Sequence, residues 1–306
     1  MMMKYVYLIG FPKIFLTMTG LHLNEFDELV REVEPLYQAA EQKRLSRPDR
    51  QRDVGGGDHP DLSPRDQILL TVIWLRQYPT QDVLGYFFSV SQASVSRYVE
   101  RVLPVLEQDG RDRMRMPDPG RKRRRKLDEL LGDMPEIMVV IDSFEQKVQR
   151  PQDSTVRDAW YSGKKKAHTI KSQVAVDEDT AEIVDIPESE PGPTADITLL
   201  EESELLDNLP EGVGGMGDSG YQGIAKLHKH GFSPRKKPRG KDRPREDIAY
   251  NTAFSRRRIV VENTNNRIRR YQSLTQTDRN HRQNHTQRVR AVAGLVNRQI
   301  RTRLIA

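Results

Sequence analysis

The 306-residue chain contains no cysteine, so disulfide bridges, cysteine-ligated zinc sites and thiol nucleophiles are excluded. Aromatic residues make up only 7% of the chain. No stretch reaches the roughly 18 uninterrupted apolar residues that a membrane-spanning helix needs. The opening residues 1–20 are apolar, but Pro12 and Lys13 interrupt them and no small-residue cleavage site follows. We therefore expect a soluble intracellular protein in which residues 1–20 form an extension of uncertain role.

Hydrophobic residues (36%) and charged residues (31%) are abundant enough for a folded protein of about two domains. The net charge of +6 is unevenly distributed, because an acidic segment over residues 127–228 lies between basic segments. Acidic surface repels phosphate, so this distribution does not fit a simple DNA coat. It fits a protein that holds a polyanion at its ends and collects carboxylates between them, where metal ions could neutralise them. A disordered basic tail is the alternative, but regular apolar spacing in that segment argues against it.

The first part of the chain carries helical patterns. Residues 21–40 have apolar side chains at helical spacing, and Ser63 before Pro64 predicts the N-cap and first turn of a second helix. The apolar stretch of that helix must be buried. Thr80 and Ser91 predict the N-caps of two further helices. Three helices joined by tight turns are typical of a helix-turn-helix, although an ordinary helical bundle has the same pattern.

The helix-turn-helix interpretation predicts DNA contacts in two segments. The early turns of its third helix place four polar side chains at bases or phosphates: Gln92, Ser94, Ser96 and Arg97. A basic segment beginning at residue 107 is expected to be a linker, and its side chains are candidates for phosphate contacts: Arg121, Lys122, Arg123, Arg124 and Arg125.

From residue 136 the pattern changes to strands. An apolar run ends at Asp142, and two alternating segments, 168–177 and 181–187, are joined by a turn that predicts a hairpin. A helix is expected over 195–207, followed by a short strand before Asp218. Further expectations are a helix over 221–230, a weak last strand after it, and two helices from about Thr252 to the end. The order predicts an α/β fold, with a mixed sheet flanked by helices.

Three carboxylates stand out by position. Asp142 and Asp218 follow strands, and Glu262 lies mid-helix among apolar and basic neighbours. Strand ends at one sheet edge line the crevice where ligands bind, so these acids could converge and bind Mg²⁺, which prefers oxygen ligands. Two such ions could activate the attacking oxygen and stabilise the leaving oxygen of a phosphodiester displacement. The alternative is that the aspartates cap turns and that Glu262 pairs with Arg258 or Arg269.

The sequence around these acids resembles the DDE transposases of bacterial insertion sequences, in the insertion-sequence-five group and its Harbinger-like relatives. The matching stretches are MVVIDSFEQKVQRP, WYSGKKKAHTIKSQVAVD, GDSGYQGI and RRRIVVENTNNRIRRYQ. LSPRDQILLTVIWLRQYPTQDVLGYFFSVSQASVSRYV resembles the helix-turn-helix that precedes the catalytic domain in the same proteins. The resemblance covers roughly residues 20–300 in the family's order.

This resemblance implies an RNase H-like fold and an enzyme that uses two Mg²⁺ ions, for which Mn²⁺ could substitute, held by Asp142, Asp218 and Glu262. Such an enzyme binds the terminal inverted repeats of its element, cleaves the strands there and joins the freed ends to target DNA. We expect it to be cytoplasmic, associated with the nucleoid and a homo-oligomer on DNA. The implied domains are a helical DNA-binding domain over 21–106 with a helix-turn-helix at about 63–106, a basic linker over 107–135, and a catalytic domain over 136–306.

The chain departs from the family pattern in its last motif. Ser255 stands where relatives often have tyrosine, and Arg269 stands where they have lysine, although Arg269 can still contact phosphate. Further DNA-binding candidates are Lys164, Lys165, Lys166 and Arg258. Two rival interpretations remain, a catalytically inactive DNA-binding regulator and a nuclease that cleaves DNA without joining it.

Overall fold

A computed structural model describes residues 3–46, 60–122 and 131–305 of the chain. The basic residues Arg123, Arg124 and Arg125, which are candidates for phosphate contacts, lie outside these ranges. No helix within them is both long enough and apolar enough to cross a membrane.

The N-terminal part of the described chain is helical. Its helices are α1 (Tyr5–Leu8), α2 (Pro12–Thr19), α3 (Leu23–Leu45), α4 (Pro64–Gln77), α5 (Gln81–Phe88) and α6 (Gln92–Arg113). The three predicted N-caps are confirmed, because the Ser63, Thr80 and Ser91 hydroxyls accept hydrogen bonds from Asp66, Val83 and Ser94 backbone N–H groups. The apolar stretch of α4 is buried, as expected.

The remainder contains both strands and helices. They are β1 (Ile137–Lys147), α7 (Ser154–Ala159), β2 (Tyr161–Ser162), β3 (Ala167–Asp177), β4 (Ile183–Asp185), β5 (Glu190–Pro191), α8 (Asp196–Glu202), β6 (Val213–Met216), α9 (Ile224–Leu227), β7 (Gly231–Phe232), α10 (Arg245–Ile268) and α11 (His285–Ile305). The sheet has the order β2-β3-β1-β6-β7, with β4 and β5 also paired to β3. β1, β3 and β4 pair antiparallel, whereas β1, β6 and β7 pair parallel. This is the expected mixed sheet flanked by helices, and its strand order is that of an RNase H-like domain.

Several predicted boundaries are wrong. β1 does not end at Asp142 but continues to Lys147, because β3 pairs with it along this whole length. The helix predicted over 195–207 ends at Glu202. In place of the helix predicted over 221–230, the structure has only the single turn of α9. In the opposite direction, α10 begins at Arg245, before the predicted start near Thr252.

The N-terminal extension is part of the folded structure. Residues 5–19 form α1 and α2, and Phe15 is fully buried, with its ring in edge contact with the rings of Tyr5 and Phe26. Tyr5 also uses its backbone N–H to reach Asp66 at the start of α4 (2.8 Å). The aromatic cluster therefore attaches the extension to the helical region.

Helix α6 extends to Arg113, into the segment predicted to begin a linker at residue 107. The reason is a close packing of α6 against α11. A Cβ atom on Gly110 would lie 2.6 Å from the Arg290 carbonyl oxygen, and one on Gly294 would lie 2.6 Å from the Gly110 Cα. Only glycine lets two helix backbones approach this closely, so the pair holds the last helix of the chain against the helical region.

Replacing Gly294 by alanine is expected to destabilise the protein by about 2 kcal/mol or more, since a methyl group there meets backbone that cannot rotate away. Gly163→Ala is the matched control, because a Cβ at Gly163 would meet nothing within 4 Å. Urea unfolding of both variants measures the difference. An unchanged midpoint for Gly294→Ala would contradict the close packing.

Asp185, on β4, is mostly buried beside Arg290. Burial raises the pKa of its carboxyl to about 6, although Arg290 and the Ile186 backbone N–H favour the ionised form. Between the ordinary pKa near 4 and this raised value, the folded protein binds more protons than the unfolded chain. Stability is therefore greatest below pH 4 with respect to this group and falls as the pH rises toward 6.

Asp185→Asn removes the carboxyl that causes this fall in stability with rising pH. The substitution should raise the free energy of unfolding at pH 8 by up to about 3 kcal/mol, with little effect at pH 4. Denaturant unfolding at both pH values measures it. Glu188→Gln is the control, because the Glu188 side chain is 70% exposed and its ion pair with Arg290 is at the surface. Equal gains at both pH values would show that the charge of Asp185 is not the cause.

Candidate active site at the edge of the mixed sheet

Two of the three predicted carboxylates meet at one edge of the sheet. β1 and β6 run parallel, with Val140 opposite Met216, and Asp142 and Asp218 each come two residues later on their own chains. Neighbouring strands lie about 4.8 Å apart, so both side chains leave the sheet at the same level. The Asp218 carboxylate accepts a hydrogen bond from the Gly220 backbone N–H (2.8 Å), which fixes it at the turn after β6.

Asp142 is held by side chains from α10. Asn265 donates from Nδ2 to Asp142 Oδ2 at 2.8 Å, and an Arg258 guanidinium nitrogen lies 3.8 Å from Oδ1. The Asp142 side chain is 23% exposed. Burial raises the pKa of the Asp142 carboxyl, Arg258 and the hydrogen bonds from Ser143 and Asn265 oppose this rise, and the nearby charge of Asp218 adds to it. The carboxylate is thus partly desolvated and close to a second acid.

The orientation of α10 is set on its other side. Arg257 and Glu178 form a buried ion pair, with Arg257 Nε 2.9 Å from Glu178 Oε1, and the Thr264 hydroxyl donates to the Ala181 carbonyl oxygen (3.2 Å). Both partners lie at the turn between β3 and β4. Because these contacts are seven residues apart along α10, they fix which stripe of the helix faces the sheet edge.

Glu262 lies on that stripe, four residues after Arg258 and three before Asn265. Residues at these spacings share one face of a helix, and the two flanking residues both contact Asp142. The Glu262 side chain is exposed. In the described part of the chain it has no ion-pair partner, so the simple surface pairs with Arg258 or Arg269 are not formed. Arg269 follows the end of α10 and is exposed.

The structure adds a carboxylate that sequence reasoning missed. Asp196, at the start of α8, accepts hydrogen bonds at Oδ1 from the Ser143 hydroxyl (2.7 Å) and from Lys171 Nζ (2.9 Å). A Cβ on Gly220 would lie 2.4 Å from Asp196 Oδ2 and 3.0 Å from Asp218 Oδ1, so the two carboxylates face the same small space. In sequence, Asp196 is an acid in a first helical turn, which the helix dipole alone would explain.

Unpartnered polar atoms surround these acids. The Tyr221 hydroxyl is fully buried and, within the described residues, has no hydrogen-bond partner. Burial and the charges of Asp196, Asp142 and Asp218 raise its pKa well above 10. Asn265 Oδ1 is likewise buried without a partner in that part of the chain. Oxygen atoms of this kind beside carboxylates suit a hard divalent cation.

A complete metal site is not assembled. Across residues 3–46, 60–122 and 131–305, no group of three or more histidine, aspartate or glutamate side chains is arranged to hold a metal ion. The structure thus brings Asp142 and Asp218 together and places Glu262 on the adjoining helix face.

The predicted DNA-binding residues of α6 lie at its start. Gln92 and Arg97 are exposed and Ser96 is half-buried. The Ser94 hydroxyl is within hydrogen-bond distance of the Ser91 hydroxyl (3.0 Å), so it belongs in part to the helix cap. Exposed polar side chains on the first turns of a third helix are what a recognition helix requires.

The other basic candidates differ in their surroundings. Lys164–Lys166 are exposed in the turn after β2, and Lys122 is exposed. Arg121 instead forms a two-point ion pair with Asp177 at the end of β3, so a phosphate would have to compete with that carboxylate. Arg123, Arg124 and Arg125 lie outside the described residues.

Comparison with known families agrees with this geometry. Residues 141–297, more than half of the chain, match the family described as DDE superfamily endonuclease. Residues 60–112, which contain α4 to α6, match the helix-turn-helix of DDE superfamily endonuclease. The chain belongs to the DDE superfamily endonucleases. The resemblance to DDE transposases of insertion sequences is thereby confirmed, as is the helix-turn-helix. It is a DDE-type enzyme with a DNA-binding domain, and enzymes of this family use divalent metal ions.

Individual relatives give the same result. The chain is 29% identical over 283 residues to a protein of Microchaete diplosiphon described as a probable transposase for insertion sequence element IS702, covering 92% of this chain and 93% of that protein. It is 26% identical over 209 residues to HARBI1 of Rattus norvegicus, which carries a nuclease description, covering 66% of this chain and 56% of that protein.

Solved structures resemble this chain only weakly. A Mos1 transposase paired-end complex with the left transposon end shares 13% identity and covers 65% of this chain and 66% of its own, with a TM-score of 0.18. A pre-cleavage Mos1 transpososome gives 13% identity, coverage of 76% and 84%, and a TM-score of 0.19. The fold assignment therefore depends on the strand order and the family match.

Removing Lys171 tests its interaction with Asp196. Lys171 is buried and its ammonium lies 2.9 Å from Asp196 Oδ1, so Lys171→Met leaves that carboxylate beside two other acids without its cation. We expect a loss of about 2–4 kcal/mol in the free energy of unfolding. The double variant Lys171→Met/Asp196→Asn should recover part of this loss. Strictly additive losses in denaturant unfolding would show that the two side chains do not interact.

Proposed function

We propose that this chain is a transposase that binds the terminal inverted repeats of an insertion sequence and catalyses Mg²⁺-dependent strand cleavage and strand transfer. The observation that supports this most directly is the meeting of Asp142 and Asp218 at parallel strand ends, beside the α10 face that bears Glu262. A DDE enzyme needs three carboxylates converging on one phosphodiester, so the proposal requires that the Glu262 side chain join Asp142 and Asp218 at this edge.

The proposed metal ligands are Asp142, Asp218 and Glu262. Two Mg²⁺ ions, or Mn²⁺ in their place, would supply Lewis-acid stabilisation of the attacking and leaving oxygens. Asn265 orients the Asp142 carboxylate through its 2.8 Å hydrogen bond, and the turn at Gly220 orients Asp218. Arg258, whose guanidinium lies 3.8 Å from Asp142, is placed to contact a phosphate that reaches the site.

Recognition of DNA is proposed for two surfaces. The exposed start of α6, with Gln92, Ser96 and Arg97, would read base edges and adjoining phosphates in the major groove. The exposed lysines Lys164–Lys166 would contact the backbone near the cleaved end, and Arg269 would add a phosphate contact beyond α10. The proposed domains are a DNA-binding region that contains α1 to α6 and ends at Arg113, a linker from there to residue 135, and a catalytic region over 136–306. Self-association on paired DNA ends is part of the proposal.

Asp142→Asn, Asp218→Asn and Glu262→Gln should each reduce Mg²⁺-dependent cleavage of DNA carrying the element's ends by at least about 100-fold, because the ligands act as a unit. DNA binding in a gel-shift assay should stay within about threefold of the parent. Asp158→Asn is the control, an exposed acid on α7 whose loss should leave cleavage unchanged.

Supplying pre-cut ends with a free 3′-hydroxyl and a target plasmid then tests strand transfer. Joined product from the parent, absent in Asp142→Asn, supports a transposase. Cleavage of intact ends without joining would indicate a nuclease, and binding without cleavage in Mg²⁺ or Mn²⁺ would indicate a DNA-binding regulator. Either of these two results would overturn the proposal.

A further inference from the structure

A cavity lined by arginines lies where the helical region meets the C-terminal helices. Its volume is about 510 Å³, within the range of ligand-binding clefts. The residues that define this arginine cavity are Arg76 from α4, Arg270 after α10 and Arg303 from α11, together with His22, Glu25 and Gln299. It is formed by elements far apart in sequence and is lined by none of the residues proposed for catalysis.

The arginines of the cavity lack acidic partners. Within the described ranges, no carboxylate lies within 4.0 Å of the guanidinium of Arg76, Arg270 or Arg303. Glu25, the acid in the cavity wall, uses its carboxylate to accept a hydrogen bond from the His22 backbone N–H (2.7 Å). Arg76 stands over the ring of Tyr271, 5.1 Å from its centroid.

The other arginines on α11 do have acidic partners. Four of them are matched by carboxylates: Arg288, Arg290, Arg298 and Arg301. The cavity also has a fourth cation nearby, Arg267, with one guanidinium nitrogen buried and, in the described part of the chain, without a partner. Burial lowers the pKa of Arg267, and the charges of Arg303 and Arg270 lower it further. The positive charges of these arginines therefore repel one another.

Three helix ends account for part of this arrangement. Arg76, Arg267 and Arg303 each lie in the last turn of a helix, where the dipole favours a cation. Each helix end carries about half a negative charge, and Glu25 adds one, so together they fall short of four guanidinium charges. Roughly one to two positive charges remain uncompensated. One phosphate group would balance them.

We propose that the arginine cavity binds a phosphate group, held by Arg270 and Arg303 at its mouth and by Arg76 deeper inside. The planar guanidinium matches phosphate oxygens with paired hydrogen bonds. The phosphate is supplied either by DNA backbone or by a free phosphate anion. The DNA source depends on the proposed function, whereas the phosphate site itself does not.

Thermal unfolding of the full chain tests the site. Sodium phosphate should raise the Tm by about 2–4 °C above sodium chloride at equal ionic strength, because a ligand that binds only the folded state stabilises it. Arg270→Gln/Arg303→Gln should abolish this difference. Both side chains are exposed, so the variant is expected to fold. Arg31→Gln is the control, an exposed arginine on α3 outside the cavity, and should keep it.

Salt dependence of DNA binding identifies the source. If DNA backbone fills the cavity, the slope of log binding constant against log salt should fall by about 1 in the double variant and stay unchanged in Arg31→Gln. If the double variant loses the Tm increase in phosphate but keeps the parent's salt slope, the ligand of the cavity is a free phosphate anion. No preference of the parent for phosphate over chloride, or its persistence in the double variant, would overturn the proposal. Neither measurement depends on cleavage, so a failed cleavage assay leaves this result interpretable.

Discussion

Negative charge is concentrated at the ends of β1 and β6, and the elements packed around this edge carry side chains that compensate it. Burial raises the pKa of the Tyr221 hydroxyl, and the nearby charges of Asp196, Asp142 and Asp218 raise it further. Such a cluster is tolerated only if cations and hydrogen-bond donors face it. Lys171 supplies one compensation from within the sheet. Arg258 supplies another from α10, which explains why that helix is basic where it crosses the sheet edge.

Much of this architecture could be predicted from local signals. Ser63, Thr80 and Ser91 precede their helices as caps because a hydroxyl at that position satisfies a free backbone N–H, a relation between residues only three positions apart. The strand before Asp218 and the hairpin of β3 and β4 follow in the same way from alternating or continuous apolar residues bounded by turns. Both strand-associated acids were found because each follows such a run.

What the sequence did not reveal depends on contacts between distant segments. Asp196 looks like an ordinary acid in a first helical turn, and only its approach to Lys171 and Ser143 distinguishes it. The end of α6 was missed because it is set by Gly110 meeting Gly294, a contact between residues far apart in the chain. Asn265 belongs to the same class, since its partner Asp142 lies on another element. Local sequence patterns do not reveal contacts between residues that are far apart in the chain.

The uneven charge distribution has a different meaning in the folded protein than in the linear sequence. Some C-terminal arginines are paired with acids, because Arg298 pairs with Glu32 and Asp109 of the helical region and Arg301 pairs with Glu182. The pairs of Arg298 join the C-terminal helix to the helical region. Net charge by segment therefore overstates the positive surface offered to DNA. Within the described residues, other C-terminal cations, among them Arg269, Arg270 and Arg303, have no acid within 4.0 Å, so binding of a polyanion is to be sought at such cations rather than at the paired arginines.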